Sequence, residues 1–93
     1  MAIGPGRRYQ VVFARPAIKQ LASLPRLAQE QVSRRIDTLA DNPRPHGVEK
    51  LKGQANQYRV RVGGYRVIYT IENDRLIVTI VRVADRKDAY RNR

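Results

Sequence analysis

The chain has 93 residues, a formal net charge of +11 and 42% hydrophobic residues. That length fits a single domain over residues 1–93 with one modest core. With no cysteine, disulfides and thiolate metal sites are excluded.

No apolar run approaches a membrane span, and Met1–Arg8 lacks the apolar stretch of a signal peptide. Cytoplasmic residence is expected. The charge calls for a polyanionic partner, with nucleic acid first. An anionic membrane is disfavoured, because no helix pairs a basic face with a bulky aromatic one. All but four of the 19 basic residues are arginine. They interleave with Val, Ile and Tyr, so they decorate a folded surface and suit planar recognition of phosphates and bases.

In chain order, residues 1–7 contain Gly4-Pro5-Gly6 and are expected to be disordered. Residues 8–14 read as a strand. Pro16 suits the first turn of a helix, and Ala17, Ile18, Leu21, Ala22 and Leu24 form its apolar stripe. Pro25 breaks that helix. A second one is expected over 26–41, with Ala28, Val32, Ile36, Leu39 and Ala40 at helical spacing. Asp41-Asn42-Pro43 ends it, since the residue before proline avoids the α region. Residues 43–56 read as a loop pinned by Leu51, and 57–72 as a hairpin. A turn at Asn73-Asp74 leads to an apolar strand, Leu76–Val81, with both faces at least partly covered. Residues 85–91 read as a short turn or helix. The fold class is α+β, order β-α-α-β-β-β, an antiparallel sheet with a helical hairpin on one face.

The hairpin carries the most information. Two alternating runs flank Gly63-Gly64, the mark of a two-residue turn. This turn sets Val62 opposite Tyr65, Arg61 opposite Arg66 and Arg59 opposite Ile68. Tyr58, Val60, Val62, Tyr65, Val67 and Tyr69 then share one face, and three arginines share the other. Like charges directly opposite cost roughly 0.2–1 kcal/mol. An anion that binds guanidinium bidentately, such as phosphate, gives a reason to hold them together.

The three hairpin tyrosines are expected in the core. His46, the only histidine, sits in a loop between Pro45 and Gly47 and is a weak catalytic candidate. The eight carboxylates are scattered without metal-ligand spacing, so a metal-dependent nuclease is not expected. Asp85 and Asp88 flank Arg86 and are expected to orient it or cap its segment.

Three segments together resemble the RelE toxins of the RelE/ParE superfamily: Lys50-Leu51-Lys52-Gly53, the hairpin from Tyr58 to Tyr69, and Val83-Ala84-Asp85-Arg86-Lys87-Asp88-Ala89-Tyr90. The resemblance spans residues 8–91. It implies the toxin of a type II toxin–antitoxin system that enters the ribosomal A site and cuts mRNA there. The resemblance implies that no metal or cofactor takes part. The ribose 2′-hydroxyl attacks the adjacent phosphate, leaving a 2′,3′-cyclic phosphate and a 5′-hydroxyl.

The catalytic positions it implies are Arg59, Arg61, Arg66, Arg86 and Tyr90. Lys50 and Lys52 are candidates for RNA contact. The implied partners are a cognate acidic antitoxin, the ribosome and its mRNA, with promoter DNA bound through the antitoxin. The best-known RelE toxins carry lysine at the positions of Arg59 and Arg61. Arginine stays protonated, so neither can be a general base here. Two other functions compete: a ParE-like inhibitor of DNA gyrase without nuclease activity, and a non-catalytic RNA-binding module.

Overall fold

The computed structural model describes residues 8–53 and 56–85. Two prolines set the helices. Pro16 lies in the first turn of α1 (Arg15–Ala22), and Pro25 is the residue from which α2 (Arg26–Thr38) starts. Proline at a helix start gives up an N–H that would have no partner there. α2 ends three residues short of its expected limit. Residues 39–41 instead form tight turns, with Leu39 N–H donating to Ile36 and Asp41 N–H to Thr38. This frees the Ala40 carbonyl for the Tyr9 N–H at 2.8 Å, at the approach to the first strand.

The strands are β1 (Gln10–Phe13), β2 (Glu49–Lys50), β3 (Gln57–Val62), β4 (Tyr65–Glu72) and β5 (Ile77–Asp85). They form one sheet in the order β1-β5-β4-β3-β2. From β5 to β2 the neighbours are antiparallel, as expected, but β1 runs parallel to β5, making the sheet mixed. β2 is a fifth strand inside the expected loop. At two residues it is too short for an alternating pattern to show. β5 is longer than the apolar run that announced it. Asp85, expected to open the turn or helix of 85–91, is instead the last residue of β5; the expected disorder of 1–7 and the rest of that segment lie outside the described residues.

The β3–β4 register is the one the turn dictates: Val62↔Tyr65, Arg61↔Arg66, Arg59↔Ile68. Gly63 takes φ +60 and Gly64 does not, the pattern of a II′ hairpin turn, whose first position favours glycine.

Both helices pack on the sheet face carrying Tyr69, Val67, Ile71, Val78 and Ile80, all essentially inaccessible, against Val32 and Ile36 of α2. Each such side chain contributes about 1.5–3 kcal/mol on burial. Tyr58 and Tyr69 stack across the hairpin, ring centroids 6.0 Å apart. Tyr69 is fully buried, and its hydroxyl donates to the Pro43 carbonyl at 2.7 Å. Burial pushes the Tyr69 phenol up to about 12. Arg44 lies over the Tyr58 ring, 5.2 Å from its centroid, and donates to Tyr58 Oη and Asn73 Oδ1. These bonds fasten the 43–45 segment to the sheet.

β5 contains a bulge. Tyr69 pairs with Ile80 and Ile68 with Arg82, leaving Val81 as the extra residue. An extra residue switches the side-chain parity of everything after it. Val78 and Ile80 face the core before the bulge, and Val83 does so after it. Arg82, which simple alternation would bury, joins the opposite face.

Candidate functional site

That opposite face is built in rows across the strands. One row runs Glu49, Arg59, Ile68, Arg82, and the next runs Arg61, Arg66, Ala84. The hairpin register therefore brings Arg59, Arg61 and Arg66 together. Arg61 is exposed, Arg59 is half-buried, and Arg66, on a strand flanked on both sides, is buried at 7%. The face is thus less open at its centre than the alternation implied. Arg86 and Tyr90 lie outside the described residues.

Two members were not foreseen from the sequence. Glu49 reaches the face because β2 pairs it with Arg59. The Arg59 Nε donates to Glu49 Oε1 at 3.0 Å, and its Nη2 donates to the same oxygen. That hydrogen bond, reinforced by the charges of Arg59, Arg61 and Arg66, holds the Glu49 carboxyl below its ordinary range. It stays ionised at neutral pH. Arg82 is the second; the one sequence signal for it is an arginine set at core parity in an otherwise apolar strand.

Lys50 and Lys52 are exposed. Lys50 pairs with Tyr58 rather than Arg59, so it belongs to the other side of the sheet. Tyr58 and Tyr69 are core residues as expected, and Tyr65 packs half-buried against the core cluster.

Beside the face lies a polar cleft of about 380 Å³, lined by Arg35, His46, Gly47, Glu49, Arg59 and Arg61 among others. It follows the edge of β3 beyond the point where β2 stops. Among the described residues, no group of three His, Cys, Asp or Glu side chains could hold a metal ion. The cleft is a cationic surface with one embedded carboxylate, suited to gripping a phosphate-bearing strand and moving a proton.

A family model described as "ParE toxin of type II toxin-antitoxin system, parDE" matches residues 11–90. The chain belongs to this toxin family. The toxin is 31% identical over 85 residues to Toxin RelE3 of Methanocaldococcus jannaschii, covering 87% of this chain and 94% of the relative. It is 25% identical over 81 residues to the mRNA interferase toxin RelE of Escherichia coli K12, covering 85% and 84%. Among solved structures, RelE of the archaeal RelE–RelB complex from Pyrococcus horikoshii superposes with a TM-score of 0.76 at 31% identity, covering 85% of this chain and 96% of that one. Within the RelE/ParE superfamily these relatives make the toxin RelE-type. No helix among its described residues is long and apolar enough to cross a membrane.

Proposed function

We propose that the toxin is a ribosome-dependent endoribonuclease that cleaves mRNA by 2′-hydroxyl attack, without a metal or other cofactor. The observation that carries this reading is the Arg61–Arg66 cross-strand pair with Glu49 beside it on one face. As the phosphorane forms, negative charge grows on the non-bridging oxygens, and preorganised guanidinium donors there lower the barrier. The 2′-hydroxyl must lose a proton, which arginine cannot take. Glu49, ionised and held by Arg59, is the acceptor. The 2′-oxygen bonds to phosphorus, the bond to the 5′-oxygen breaks, and that oxygen takes up a proton from solvent water, while Glu49 returns its proton to solvent. Arg86 is assigned to the leaving side and Tyr90 to stacking on the neighbouring base. Relatives named mRNA interferase support this activity.

The partner in this reading is an antitoxin with an acidic segment that folds on binding. Several RelE relatives have been solved with RelB. An apolar groove of about 350 Å³ lined in part by Phe13, Ile18 and Leu21 offers a docking place for the apolar side chains of such a segment. Promoter DNA would be bound through the antitoxin, and the toxin itself acts in the cytoplasm, where ribosomes are.

Primer extension on ribosome-engaged mRNA tests the activity. New 5′ ends at A-site codons are expected in the presence of the toxin. A second reading, gyrase inhibition, is favoured by the ParE name of the matched family. Loss of plasmid supercoiling by purified gyrase, with no mRNA cut, would establish it instead.

A further inference from the structure

We infer that the cleft at the β3 edge is a second phosphate subsite, in which Arg35 and Arg61 hold the RNA strand after it leaves the arginine face. This rests on the nuclease reading and specifies the path of its substrate.

β2 pairs only with Tyr58 and Arg59, so β3 runs on past it toward the Gly63 turn without a strand neighbour on that side. The cleft occupies this place. Its walls come from three separate parts of the chain: Arg35 from α2, His46 and Gly47 from the loop, and Arg59 and Arg61 from β3. Four of its polar groups are Arg35, Arg59, Arg61 and His46, against the single carboxylate of Glu49. That carboxylate is committed to Arg59. Among the described residues, neither Arg35 nor Arg61 has a carboxylate within ion-pair distance. Among the described residues, two guanidinium groups thus line one concave space without an ion-paired carboxylate of their own. Guanidinium binds phosphate through paired N–H donors, and the His46 imidazole adds a donor. The volume is within the range of pockets that take small ligands, and suits part of a nucleotide.

Arg61 belongs both to the arginine face and to this cleft, so a strand gripped on the face passes into the cleft without leaving protein. Arg35 belongs to the cleft alone and separates the two sites. Its neighbour Arg34 is exposed and does not line the cleft, which makes it a control of equal charge.

The test is equilibrium binding of a fluorescein-labelled, 2′-O-methyl RNA octamer, which cannot be cleaved, across a salt series. Each phosphate contact to a single strand contributes about 0.7 to the slope of log K against log salt. Arg35→Gln should lower the slope by about that amount and Arg35→Lys should restore it. Arg34→Gln should leave it unchanged. Unfolding midpoints of all three variants identify any fold defect. An unchanged slope in a folded Arg35→Gln protein, or an equal fall in Arg34→Gln, overturns the subsite. So does wild-type binding that does not respond to salt. Cleavage is scored separately on ribosomes. Wild-type protein that cuts mRNA while Arg35→Gln keeps its slope removes the subsite alone. Protein that binds with the expected slopes but cuts nothing removes the nuclease reading and leaves the subsite.

Discussion

The side-chain oxygen of Gln20 accepts the Val83 N–H at 2.7 Å, tying α1 to β5 two residues past the bulge. β1 pairs with β5 only as far as Ile80, so Gln20 supplies an acceptor that no strand supplies there. The bond fixes the stretch of β5 that carries Arg82. Gln20→Ala would leave a part-buried N–H without its acceptor. It should cost about 1–3 kcal/mol, read as a lowered midpoint in urea. Gln20→Glu keeps an acceptor oxygen and should lie much closer to wild type. Equal stability of all three proteins would show that the bond contributes nothing.

Arg66→Ala should reduce mRNA cleavage by about 10²–10³-fold, the usual effect of removing one preorganised donor. Because Arg66 is buried, its variant must first be shown to be folded by circular dichroism. A folded variant that cuts mRNA and arrests growth like wild type would remove Arg66 from the site.

Glu49→Gln should abolish cleavage without weakening RNA binding, since it removes a negative charge from a cationic surface. Its titration gives a second check. Arg59 holds the Glu49 carboxyl below its ordinary value, so the carboxylate form, and the stability its ion pair contributes, is present above the unfolded-state pKa. That contribution fades as pH falls through the lower folded value. Side-chain NMR titration should find the Glu49 midpoint under the ordinary glutamate range, rising in Arg59→Gln. A midpoint unmoved by Arg59→Gln would rule out this pairing in solution.

Tyr69 titrates in the opposite sense. Its phenol is pushed up to about 12 by burial, against about 10 in an unfolded chain. The buried neutral form therefore stabilises the fold fully below pH 10, and this contribution is lost between about 10 and 12. In an ultraviolet titration, one tyrosine should ionise near the top of that range, and Tyr69→Phe should remove it. The same variant loses the bond to Pro43 and should be less stable by about 0.5–1.5 kcal/mol.

If Tyr90 stacks on the base beside the scissile bond, Tyr90→Phe keeps the ring and should retain most RNA affinity. Tyr90→Ala should lose about 1–3 kcal/mol, measurable with the uncleavable octamer. Phe and Ala variants that fall equally would assign the role to the hydroxyl instead.

The arginine pairing was legible because a two-residue turn leaves one register, and register decides which side chains share a face. The helix starts were legible because proline restricts its own φ and forgoes a donor. Glu49 was hidden. Its strand is two residues long, and its pairing to Arg59 is a long-range contact with no periodic trace. Arg82 was hidden for the opposite reason. The alternation in β5 is clear, but the inserted Val81 reverses it, and no local preference of valine marks a bulge. The parallel seat of β1 was likewise invisible, because a strand's apolar pattern does not state the direction of its neighbour.

That seat has a consequence for synthesis. Among the described residues, 10–13 have one sheet neighbour, residues 77–80, so the first strand cannot take its place until residue 80 has been made. At about 5–20 residues per second, an interval of some seconds separates the two. Throughout it the helices wait beside an unfinished sheet, and the Glu49–Arg59–Ile68–Arg82 row is not assembled. The arginine row is therefore completed only after Arg82 has been made, late in synthesis.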